Sequence, residues 1–411
     1  MNIAYTSSNE YAKFVGISIY SLLDNNKSVK NISIYIIDMG IDEDNKNKIK
    51  CIVAKYNRNI EFISAEKQIK ELANHHKFDD FHGGINSYVK ILPGLFLPKI
   101  DRVLFLDADT IIVCNLEEMY NKNLGDALIA AVPDVGVYFF GHEDYYIVKK
   151  NNIYYNTGVL LFDLDKVRKI KFHNVIFKAK DNYKGKLKLA DQSLLNLAVN
   201  NNDVLTLNIC YNNYIHSIKS DYFIGYIHQK NEDWFIKIVD EIIEARKKPV
   251  IVHYVRGLHL GGRPWLRWNT SHMSRYYLKY WRRSSWRHEK RGSNIKETRR
   301  LKRIQNPKTI MSKPIIGDVY AIIWIIVSKY SSKKTWELFQ NILLIIKNKI
   351  GIITKTKTIH AILRKLLKSK RNRYYRSIQI FGMRLNIFSK KFALMEIKEL
   401  DRKVLNKTNH N

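Results

Sequence analysis

Two carboxylates separated by one residue follow an apolar run. In "DRVLFLDADTIIVCNL", residues 101–116, Asp107 and Asp109 stand between two apolar segments. Burying two carboxylates in such surroundings is costly unless a positive charge neutralises them. In an extended segment the side chains at positions i and i+2 point to the same side, so both could hold one hard divalent cation. Such a cation can neutralise a diphosphate and stabilise the charge that develops on it as a leaving group.

Two other interpretations of this pair use the same residues. A strand-end Asp often caps the following turn while its neighbour is solvated, and short D-x-D motifs often occur without a metal. A phosphatase-type D-x-D-x-T loop also follows an apolar strand. Here, however, Thr110 follows Asp109 directly, Ile111 occupies the place where that Thr belongs, and the pair lies well inside the chain. The phosphatase interpretation is therefore disfavoured, whereas the turn cap and the metal site both remain open.

Alternating strands and helices are predicted to position the pair. Strands are predicted at Asn2–Thr6, at Ile32–Asp38, in "NIEFISA" and at Arg102–Asp109, with helical apolar spacing between the first three. This alternation is typical of βαβ units, and it predicts an α/β fold with a mainly parallel sheet covered on both faces. Ligands of such sheets bind at the carboxyl ends of the strands, and the acid pair stands where the fourth strand ends.

The second half of the predicted domain supplies further strands and a late histidine. "DALIAAV" and "YYNTGVLLFDL" predict strands, and "DQSLLNLAVN" predicts a helix. "PVIVHYV", Pro249–Val255, predicts a late apolar strand with His253 at its end.

Positive charge is concentrated in the last third of the chain. The 411 residues carry a net charge of +32, of which residues 1–270 contribute +4 and residues 271–411 contribute +28. We therefore predict a near-neutral domain over 1–270 and a basic, aromatic, mostly helical region over 271–411, which needs a polyanionic partner. The three scattered cysteines fit a reducing compartment, and the N-terminus resembles no targeting peptide, so we expect a cytoplasmic location. No apolar stretch reaches the about 18 residues of a membrane-spanning helix.

Six segments in the first two-thirds of the chain form a series. They are "MNIAYTSSNEYAKFVGISIYSLL", "SYVKILPGLFLP", "VLFLDADTIIVCNLEEMY", "YYNTGVLLFDLDKVR", "ADQSLLN" and "VHYVRGLHLGGRPW". In this order they resemble glycosyltransferase family 8, and within it the bacterial galactosyl- and glucosyltransferases that extend lipopolysaccharide cores. The resemblance implies a Rossmann-like nucleotide-sugar-binding domain of the GT-A type. It also implies a retaining transfer of a hexose from a UDP-sugar.

The resemblance implies a metal site built from two distant segments. Mn²⁺ or Mg²⁺ would bridge the donor diphosphate and the carboxylates of Asp107 and Asp109, and the third ligand would be His253. An isolated His on an apolar strand is more often a core residue, but its place at a strand end before a Gly-rich turn favours ligation. The stretch from His253 to Trp265 is longer than the family pattern, which leaves His259 as a rival ligand.

The resemblance also implies which residues bind the UDP-sugar. Thr6, Ser8 and Asn9, after the first strand, would contact the nucleoside, although Ser8 stands where some relatives have Asp. Gly262 and Arg263 would cover the diphosphate, and Arg263 replaces the usual Lys with a side chain that can make a forked contact. The other implied donor residues are Lys90, Asp107, Ala108, Asp109, Asn156, Thr157, Asp191 and Gln192.

Asn156, Asp191 and Gln192 are the implied residues of the sugar end, where the chemistry takes place. Found alone, "NTG" would indicate a turn and "DQ" a helix N-terminus. A double displacement needs a nucleophile beneath the anomeric carbon, and the amide of Gln192 is a poor one. We therefore favour a same-face mechanism, in which the departing diphosphate oxygen helps to deprotonate the acceptor hydroxyl.

The composition of the basic tail suits two kinds of partner. Lys and Arg interleaved with Tyr and Trp, as in "YYLKYWRRSSWR", suit nucleic acid or an anionic membrane surface. Basic apolar segments such as "IHAILRKLLKSKRNRYY" favour the membrane, so we expect peripheral attachment to its inner face rather than nucleic-acid binding. "SIQIFGMRLNIFSKK" resembles a motif seen near the ends of cell-envelope glycosyltransferases, and it favours a lipid-linked glycan acceptor.

These observations lead to one main hypothesis and two alternatives. The main hypothesis is a transferase that moves galactose or glucose from UDP-galactose or UDP-glucose to a lipid-linked oligosaccharide, in the biosynthesis of lipopolysaccharide or another cell-surface polysaccharide. The same domain could instead glycosylate a protein. The chain could also be a non-catalytic membrane- or nucleic-acid-binding protein, although the presence of Asp107, Asp109 and His253 argues against it.

Overall fold

Contacts between residues divide the chain into two units. The computed structural model describes residues 1–79, 85–139, 153–214, 233–255, 263–265 and 273–289. One unit comprises Met1–Ser217 with Lys237–Ser293, and the other comprises Ile218–Ile236 with Asn294–Asn411. Except for the first residues of one helix, all described residues belong to the first unit, and the site described below lies entirely within it.

The described residues form short strands and helices that alternate along the first part of the chain. The strands are β1 Asn2–Ser7, β2 Ser33–Asp38, β3 Asn59–Ser64, β4 Arg102–Leu106, β5 Thr110–Ile112, β6 Ile129–Pro133, β7 Tyr155–Asp163, β8 Val204–Thr206 and β9 Ile251–His253. The helices are α1 Ala12–Asn25, α2 Glu43–Ala54, α3 Glu66–His75, α4 Pro93–Phe96, α5 Glu117–Tyr120, α6 Val135–Phe139, α7 Leu164–Lys169, α8 Phe172–Asn182, α9 Ala190–Ala198, α10 Asp233–Lys247 and α11 Ser274–Trp281. Short 3-10 helices lie at Asn9–Tyr11, Asn86–Ile91, Asn201–Asp203 and Ile209–Asn212.

Seven of the strands form one mostly parallel sheet, in the order β3-β2-β1-β4-β7-β6-β8. Adjacent strands are parallel except on either side of β7, which runs antiparallel to both β4 and β6. The remaining two strands, β5 and β9, form a separate antiparallel pair. The predicted α/β fold with a mainly parallel sheet is therefore confirmed.

The central strands are apolar along almost their whole length because both faces of the sheet are covered. In β4 only the first residue is partly exposed, and every residue of β6 is buried. In β7 all residues but the last are buried. Near-continuous apolar runs are typical of strands between two layers of helices. This burial holds the ends of β4, β6 and β7 in fixed positions, and the functional side chains stand at or beside these ends.

The flanking helices begin and pack as their sequences predict. In α1 the apolar residues recur at helical spacing, and Phe14, Ile19 and Leu22 are buried. Helix α2 begins after Asp42, whose carboxylate accepts a hydrogen bond from the backbone N–H of Asn45 at 2.8 Å. The acidic first turn of α2 also complements the partial positive charge of a helix N-terminus.

The segment 273–289 packs against α1 through a buried tryptophan. Trp286 is 1 % exposed, and its indole Nε1–H donates to the side-chain oxygen of Asn45 at 2.9 Å. A Cβ at Gly16 of α1 would lie only 2.3 Å from the Trp286 ring, so a glycine is required at this contact. The described residues of the first unit therefore continue to residue 289.

The predicted domain boundary at residue 270 stays a prediction. Most of the region predicted to be basic and mostly helical, from residue 290 onward, lies outside the described residues. Residues 273–289 are the described part of that region, and they include helix α11. Within the part of the chain that the structure describes, no helix is long and apolar enough to cross a bilayer.

Candidate active site

Asp107 and Asp109 lie on a turn between β4 and β5. The backbone N–H and the hydroxyl of Thr110 both donate to the carbonyl oxygen of Asp107, at 3.2 and 2.8 Å. The N–H of Asp107 donates to the carbonyl of Gly158 in β7 at 2.9 Å. The strand thus ends at Leu106, and the prediction of extended chain as far as Asp109 is wrong. A turn, rather than the pleat of a strand, brings the two carboxylates to one side.

His253 reaches this turn because β9 pairs with β5. In that pairing His253 stands opposite Thr110. Its Nε2 lies 3.1 Å from Oδ1 of Asp109 and 3.8 Å from Oδ2 of Asp107. One ligand atom from each of these three residues lies within 4.8 Å of the others. The structure therefore brings together the three residues predicted to bind a metal, although their role as ligands stays a prediction. The rival ligand His259 lies outside the described residues.

Two cations neutralise the acid pair within the chain. Lys90 Nζ lies 2.7 Å from Oδ1 of Asp107 and 3.1 Å from Oδ2 of Asp191, and it is buried. Arg263 Nη2 lies 3.0 Å from Oδ2 of Asp109. Buried carboxylates need a neutralising partner, and these two side chains supply positive charge beside them.

The two carboxylates differ in their electrostatic surroundings. Burial raises the pKa of Asp107, and the opposing effects of Lys90 and His253 do not overcome it. Burial acts in the same direction on Asp109, but His253 and Arg263 outweigh it and hold the pKa of Asp109 below its usual value. Burial would lower the pKa of Lys90, but its two carboxylate partners raise the pKa above the ordinary value. Asp109 is therefore the more strongly acidic member of the pair.

The donor set of the cluster fits a hard divalent cation. Carboxylate oxygens and an imidazole nitrogen are ligands that Mn²⁺ accepts, and Mg²⁺ accepts the carboxylates readily. The Nδ1 atom of His253 lies 2.8 Å from the side-chain oxygen of Asn212, which leaves Nε2 facing the carboxylates. Ligating histidines commonly hydrogen-bond through their second nitrogen in this way.

The three residues predicted for the sugar end lie beside the acid pair, together with Thr157, which was predicted among the donor-binding residues. Asn156 and Thr157 belong to β7, whereas Asp191 and Gln192 belong to the first turn of α9. The Thr157 hydroxyl donates to Oδ2 of Asp191 at 2.9 Å. Since Lys90 contacts both Asp191 and Asp107, the sugar end and the acid pair form one continuous polar cluster.

Backbone strain accompanies the first turn of α9. Ala190, which directly precedes Asp191, has a φ of 45°, in the left-handed region that residues with a Cβ rarely adopt. Such strain persists only where surrounding contacts hold it, and it is frequent at functional sites. Here Ala190 is fully buried, and Asp191 is held by both Lys90 and Thr157.

The sequence analysis missed Asp134, a buried carboxylate at the centre of the sugar end. Its Oδ2 accepts hydrogen bonds from the amide groups of Asn156 and Gln192, each at 2.9 Å. Its Oδ1 accepts from the hydroxyl of Tyr214 at 2.5 Å and from the backbone N–H of Gly136 at 2.9 Å. Asp134 directly follows β6, so the rule that singled out Asp107, an acid at the end of an apolar strand, could also have found it.

The three residues predicted to contact the nucleoside differ from one another in their hydrogen bonding. The hydroxyl oxygen of Thr6 is buried and has no hydrogen-bond partner among the described residues. Asn9 instead bonds Asp42 and Asn45 at the start of α2, so its amide is used within the fold. Ser8 lies beside Asn9, in extended backbone, and its side chain does not cap the 3-10 helix that follows.

Ala108 lies between the two acids on their turn, and Gly262 lies outside the described residues.

An exposed aromatic residue, Tyr11, lies near the segment predicted to bind the nucleoside. Tyr11 is 39 % exposed, an unusual exposure for a large apolar side chain in this structure, and its ring meets Phe14 at 5.7 Å between centroids. Phe14 in turn packs on Trp265, whose ring lies under the guanidinium of Arg263. The sequence analysis did not single out Tyr11, because an exposed ring and a core ring look alike in an apolar helical pattern.

Comparisons with known proteins agree with this arrangement. The sequence model of glycosyl transferase family 8 matches residues 2–269. The chain is 26 % identical over 198 residues to a glycosyltransferase-type protein of Haemophilus influenzae, and 26 % identical over 206 residues to the lipopolysaccharide 1,2-glucosyltransferase of Escherichia coli. Each alignment covers 48 % of this chain and 58 % of the relative. The chain thus spans little more than half the length of these relatives.

Solved structures share the fold at low sequence identity. The galactosyltransferase LgtC, solved with donor and acceptor sugar analogues, superposes with a TM-score of 0.57 at 20 % identity, over 69 % of this chain and 96 % of that one. The bifunctional glycosyltransferase WbbM gives a TM-score of 0.58 at 20 % identity, over 70 % of this chain and 50 % of that one. The predicted GT-A fold is therefore confirmed. With the family match extending across residues 2–269, this chain belongs to glycosyltransferase family 8.

Proposed function

We propose that the chain is a retaining, metal-dependent hexosyltransferase that uses UDP-galactose or UDP-glucose. The observation that carries this proposal is the convergence of Asp107, Asp109 and His253 at the carboxyl end of β4, within a domain of this family. Mn²⁺ or Mg²⁺ held by these three residues would stabilise the negative charge that develops on the departing diphosphate. The rest of the site then has to bind the nucleoside, orient the sugar and admit an acceptor.

Arg263 and Lys90 are suited to the diphosphate and the sugar. Each is a cation that has one carboxylate of the acid pair among its partners, so each stands within reach of any anion that binds there. Arg263 can make a forked contact with phosphate oxygens. Lys90 is buried between Asp107 and Asp191. We assign it a contact with the diphosphate on the side that carries the donor sugar.

The nucleoside is assigned to the carboxyl end of β1. The buried hydroxyl of Thr6 has a hydrogen-bonding capacity that no other described residue uses, which supports a polar contact with a bound ligand. The exposed ring of Tyr11 is suited to stacking on a planar base, because every nucleobase offers a π-face. Asn9, which is engaged with α2, contributes through the shape of the loop rather than by a contact of its own.

The sugar end favours a same-face mechanism over a covalent intermediate. Asp191 is buried and its carboxylate is bound by Lys90 and Thr157, so it is poorly placed to attack an anomeric carbon. Gln192 is an amide whose nitrogen donates to Asp134 and whose oxygen faces the N–H of Thr157. We assign both residues, together with Asn156, to orienting the hexose while the diphosphate oxygen accepts the acceptor's proton.

A lipid-linked glycan at the inner face of the membrane is the proposed acceptor. A relative named lipopolysaccharide 1,2-glucosyltransferase supports this choice, as does the net charge of +28 over residues 271–411. A protein acceptor is the alternative, and the described residues of the site favour neither. Peripheral membrane attachment on the cytoplasmic side belongs to the same proposal.

The experiment that tests the proposal is incubation of the full chain with each UDP-hexose, Mn²⁺ and a lipid-linked oligosaccharide extract. We expect release of UDP with at least one donor, and transfer of a hexose whose anomeric configuration, read by NMR of the product, matches that of the donor. Absence of UDP release with both donors would contradict the proposed activity. An inverted product, or a glycosyl adduct trapped on Asp191 or Gln192, would contradict the same-face mechanism.

A further inference from the structure

We infer that Asn212 is a positioning residue that keeps the proton of His253 on Nδ1 and so leaves Nε2 for a divalent cation. It acts in a chain of side chains that we call the amide relay: Asp134, Asn156, Asn212 and His253. The inference rests on the metal site of the proposed function. It goes beyond that function because it assigns Asn212 a role and makes the direction of each hydrogen bond in the relay testable.

The direction of the relay is fixed at Asn156. Its side-chain oxygen accepts the backbone N–H of Gly158 at 2.8 Å, and a backbone N–H can only donate. Its side-chain nitrogen faces Oδ2 of Asp134 at 2.9 Å, and a carboxylate oxygen is an acceptor. The amide of Asn156 can therefore be oriented in only one way.

The orientation of the Asn156 amide determines that of the Asn212 amide, which in turn determines which nitrogen of His253 carries the proton. The oxygen of Asn156 also lies 2.7 Å from the side-chain nitrogen of Asn212, so Asn212 must donate there. The oxygen of Asn212 consequently faces Nδ1 of His253 at 2.8 Å. Two acceptors would repel each other at this distance, so Nδ1 must carry a proton. The neutral tautomer with its proton on Nε2 is thereby excluded.

The remaining nitrogen of His253 faces the acid pair. Nε2 lies 3.1 Å from Oδ1 of Asp109 and 3.8 Å from Oδ2 of Asp107. With the proton on Nδ1, Nε2 is the ring nitrogen that remains for a divalent cation at the acid pair. The relay thus holds the ring in the orientation and tautomer that ligation through Nε2 would require.

Burial makes reversal of the relay costly. Asn212 is fully buried, and Asn156 and His253 are 6 % and 3 % exposed. Turning either amide over would place two acceptors or two donors face to face without water to compensate them. Since Oδ2 of Asp134 also accepts from Gln192, the same carboxylate orients a residue of the sugar end and, through the relay, a ligand of the metal site.

The first test is ¹⁵N NMR of the histidine side chains in the metal-free full chain, with His253→Gln used to assign the His253 signals. The relay predicts that the neutral ring of His253 carries its proton on Nδ1. A neutral ring with its proton on Nε2 would overturn the inference. This measurement needs neither catalysis nor a metal, so it decides the inference even if the proposed activity fails.

The second test is the affinity of the full chain for Mn²⁺ alone, measured by calorimetric titration. Asn212→Ala should weaken Mn²⁺ binding by about 10–100-fold, the usual effect of losing a partner of a ligating histidine. The matched control is Asn213→Ala, because Asn213 is equally buried but its amide donates to the carbonyl of Ala245 instead. The control should lose stability but keep the Mn²⁺ affinity of the wild type.

The two tests separate the possible failures. Wild-type Mn²⁺ affinity in Asn212→Ala would overturn the relay and leave the metal site intact. Absence of Mn²⁺ binding by the wild type would contradict the proposed function, and the tautomer of His253 would still be read by NMR. If Asn212→Ala does not fold, the NMR measurement on the wild-type chain decides.

Discussion

At the residue scale, the acid pair illustrates how two neighbouring carboxylates acquire different properties from their partners. Asp107 faces Lys90, which it shares with Asp191, whereas Asp109 faces both His253 and Arg263. Burial is the largest effect on both, but only at Asp109 do the cations overcome it. The pKa of Asp109 therefore lies below the usual value for an Asp, whereas that of Asp107 lies above it.

Gly158 provides a test of how tightly His253 is held. A Cβ at this position would lie 2.3 Å from Cε1 of His253 and 2.6 Å from its Nδ1. Gly158→Ala must therefore displace the ring from Asn212 and from the acid pair. We expect a loss of about 1–3 kcal/mol in the free energy of unfolding from overpacking, measured by urea denaturation. UDP release should fall much further, because a displaced ligand affects every turnover.

The control for this prediction is Gly94→Ala. A Cβ there would meet Cγ1 of Val167 at 3.2 Å, a tight contact that involves no residue of the site. This variant should lose some stability and keep the wild-type rate of UDP release. Unchanged UDP release in Gly158→Ala would show that the position of His253 does not matter for the reaction.

Several residues of the site could be predicted from the sequence and others could not. Asp107 and Asp134 follow apolar strands, a pattern visible in the sequence, although only Asp107 was singled out. Asn212 follows no such pattern, because its role depends on the pairing of β9 with β5 and on contacts across 41 residues of chain. Lys90 and Arg263, which neutralise the acid pair, were predicted as contacts of the UDP-sugar rather than as partners of the carboxylates.

At the scale of the elements, the short strands β5 and β9 position one of the three residues of the candidate metal site. Each has three residues, yet their pairing brings His253 opposite Thr110 and so beside the acid pair. The sequence analysis predicted a longer late strand and a fourth strand that includes the acids. Instead, Thr110 hydrogen-bonds back to Asp107 and closes a turn. The apolar pattern of the local sequence does not reveal such a turn.

The contact between α1 and α11 gives a prediction about pH. Asp24 of α1 bonds Lys27 at 2.8 Å and Lys279 of α11 at 3.3 Å. Burial raises the pKa of Asp24, but its hydrogen bonds to these two lysines outweigh burial and lower the pKa to about 2. A carboxyl group with a lowered pKa stabilises the fold at pH values above its unfolded pKa, and this contribution is lost as the pH falls toward 2.

Asp24→Asn should therefore lower the free energy of unfolding by about 1 kcal/mol at pH 7, a value kept small because both lysines are partly exposed. The difference between variant and wild type should shrink as the pH is lowered from 5 toward 2, through the unfolded pKa of about 3.9 and the folded pKa of about 2. Urea denaturation at a series of pH values measures it. A difference that stays constant over this range would show that the ion pairs do not stabilise the contact.

At the scale of the whole molecule, charge is divided unevenly between the family 8 domain and the rest of the chain. The domain is nearly neutral, whereas residues 271–411 hold 35 Lys and Arg but only seven Asp and Glu. Such a concentration of charge exceeds what solubility requires and favours an anionic surface. The composition predicted this partner class, but the fold of residues 290–411 lies outside the described residues.

Binding of the full chain to vesicles tests the membrane proposal. We expect co-sedimentation with vesicles that contain anionic lipid, and a loss of binding as salt is raised, because basic residues near the surface contribute about 1 kcal/mol each and are screened. Vesicles of zwitterionic lipid alone serve as the control and should bind weakly. Stronger binding to RNA than to the anionic vesicles at the same salt concentration would favour the nucleic-acid alternative.

The central claim is that Asp107, Asp109 and His253 hold a divalent cation that hexose transfer requires. The most direct measurement is the rate of UDP release from the preferred UDP-hexose as Mn²⁺ is added back to chelator-treated enzyme, for the wild type and for Asp109→Asn. We predict that the treated wild type is inactive and recovers along a saturable Mn²⁺ curve, whereas Asp109→Asn recovers little activity at any Mn²⁺ concentration. A chelator-treated wild type that retains its full rate, or an Asp109→Asn variant that follows the wild-type curve, would contradict the claim.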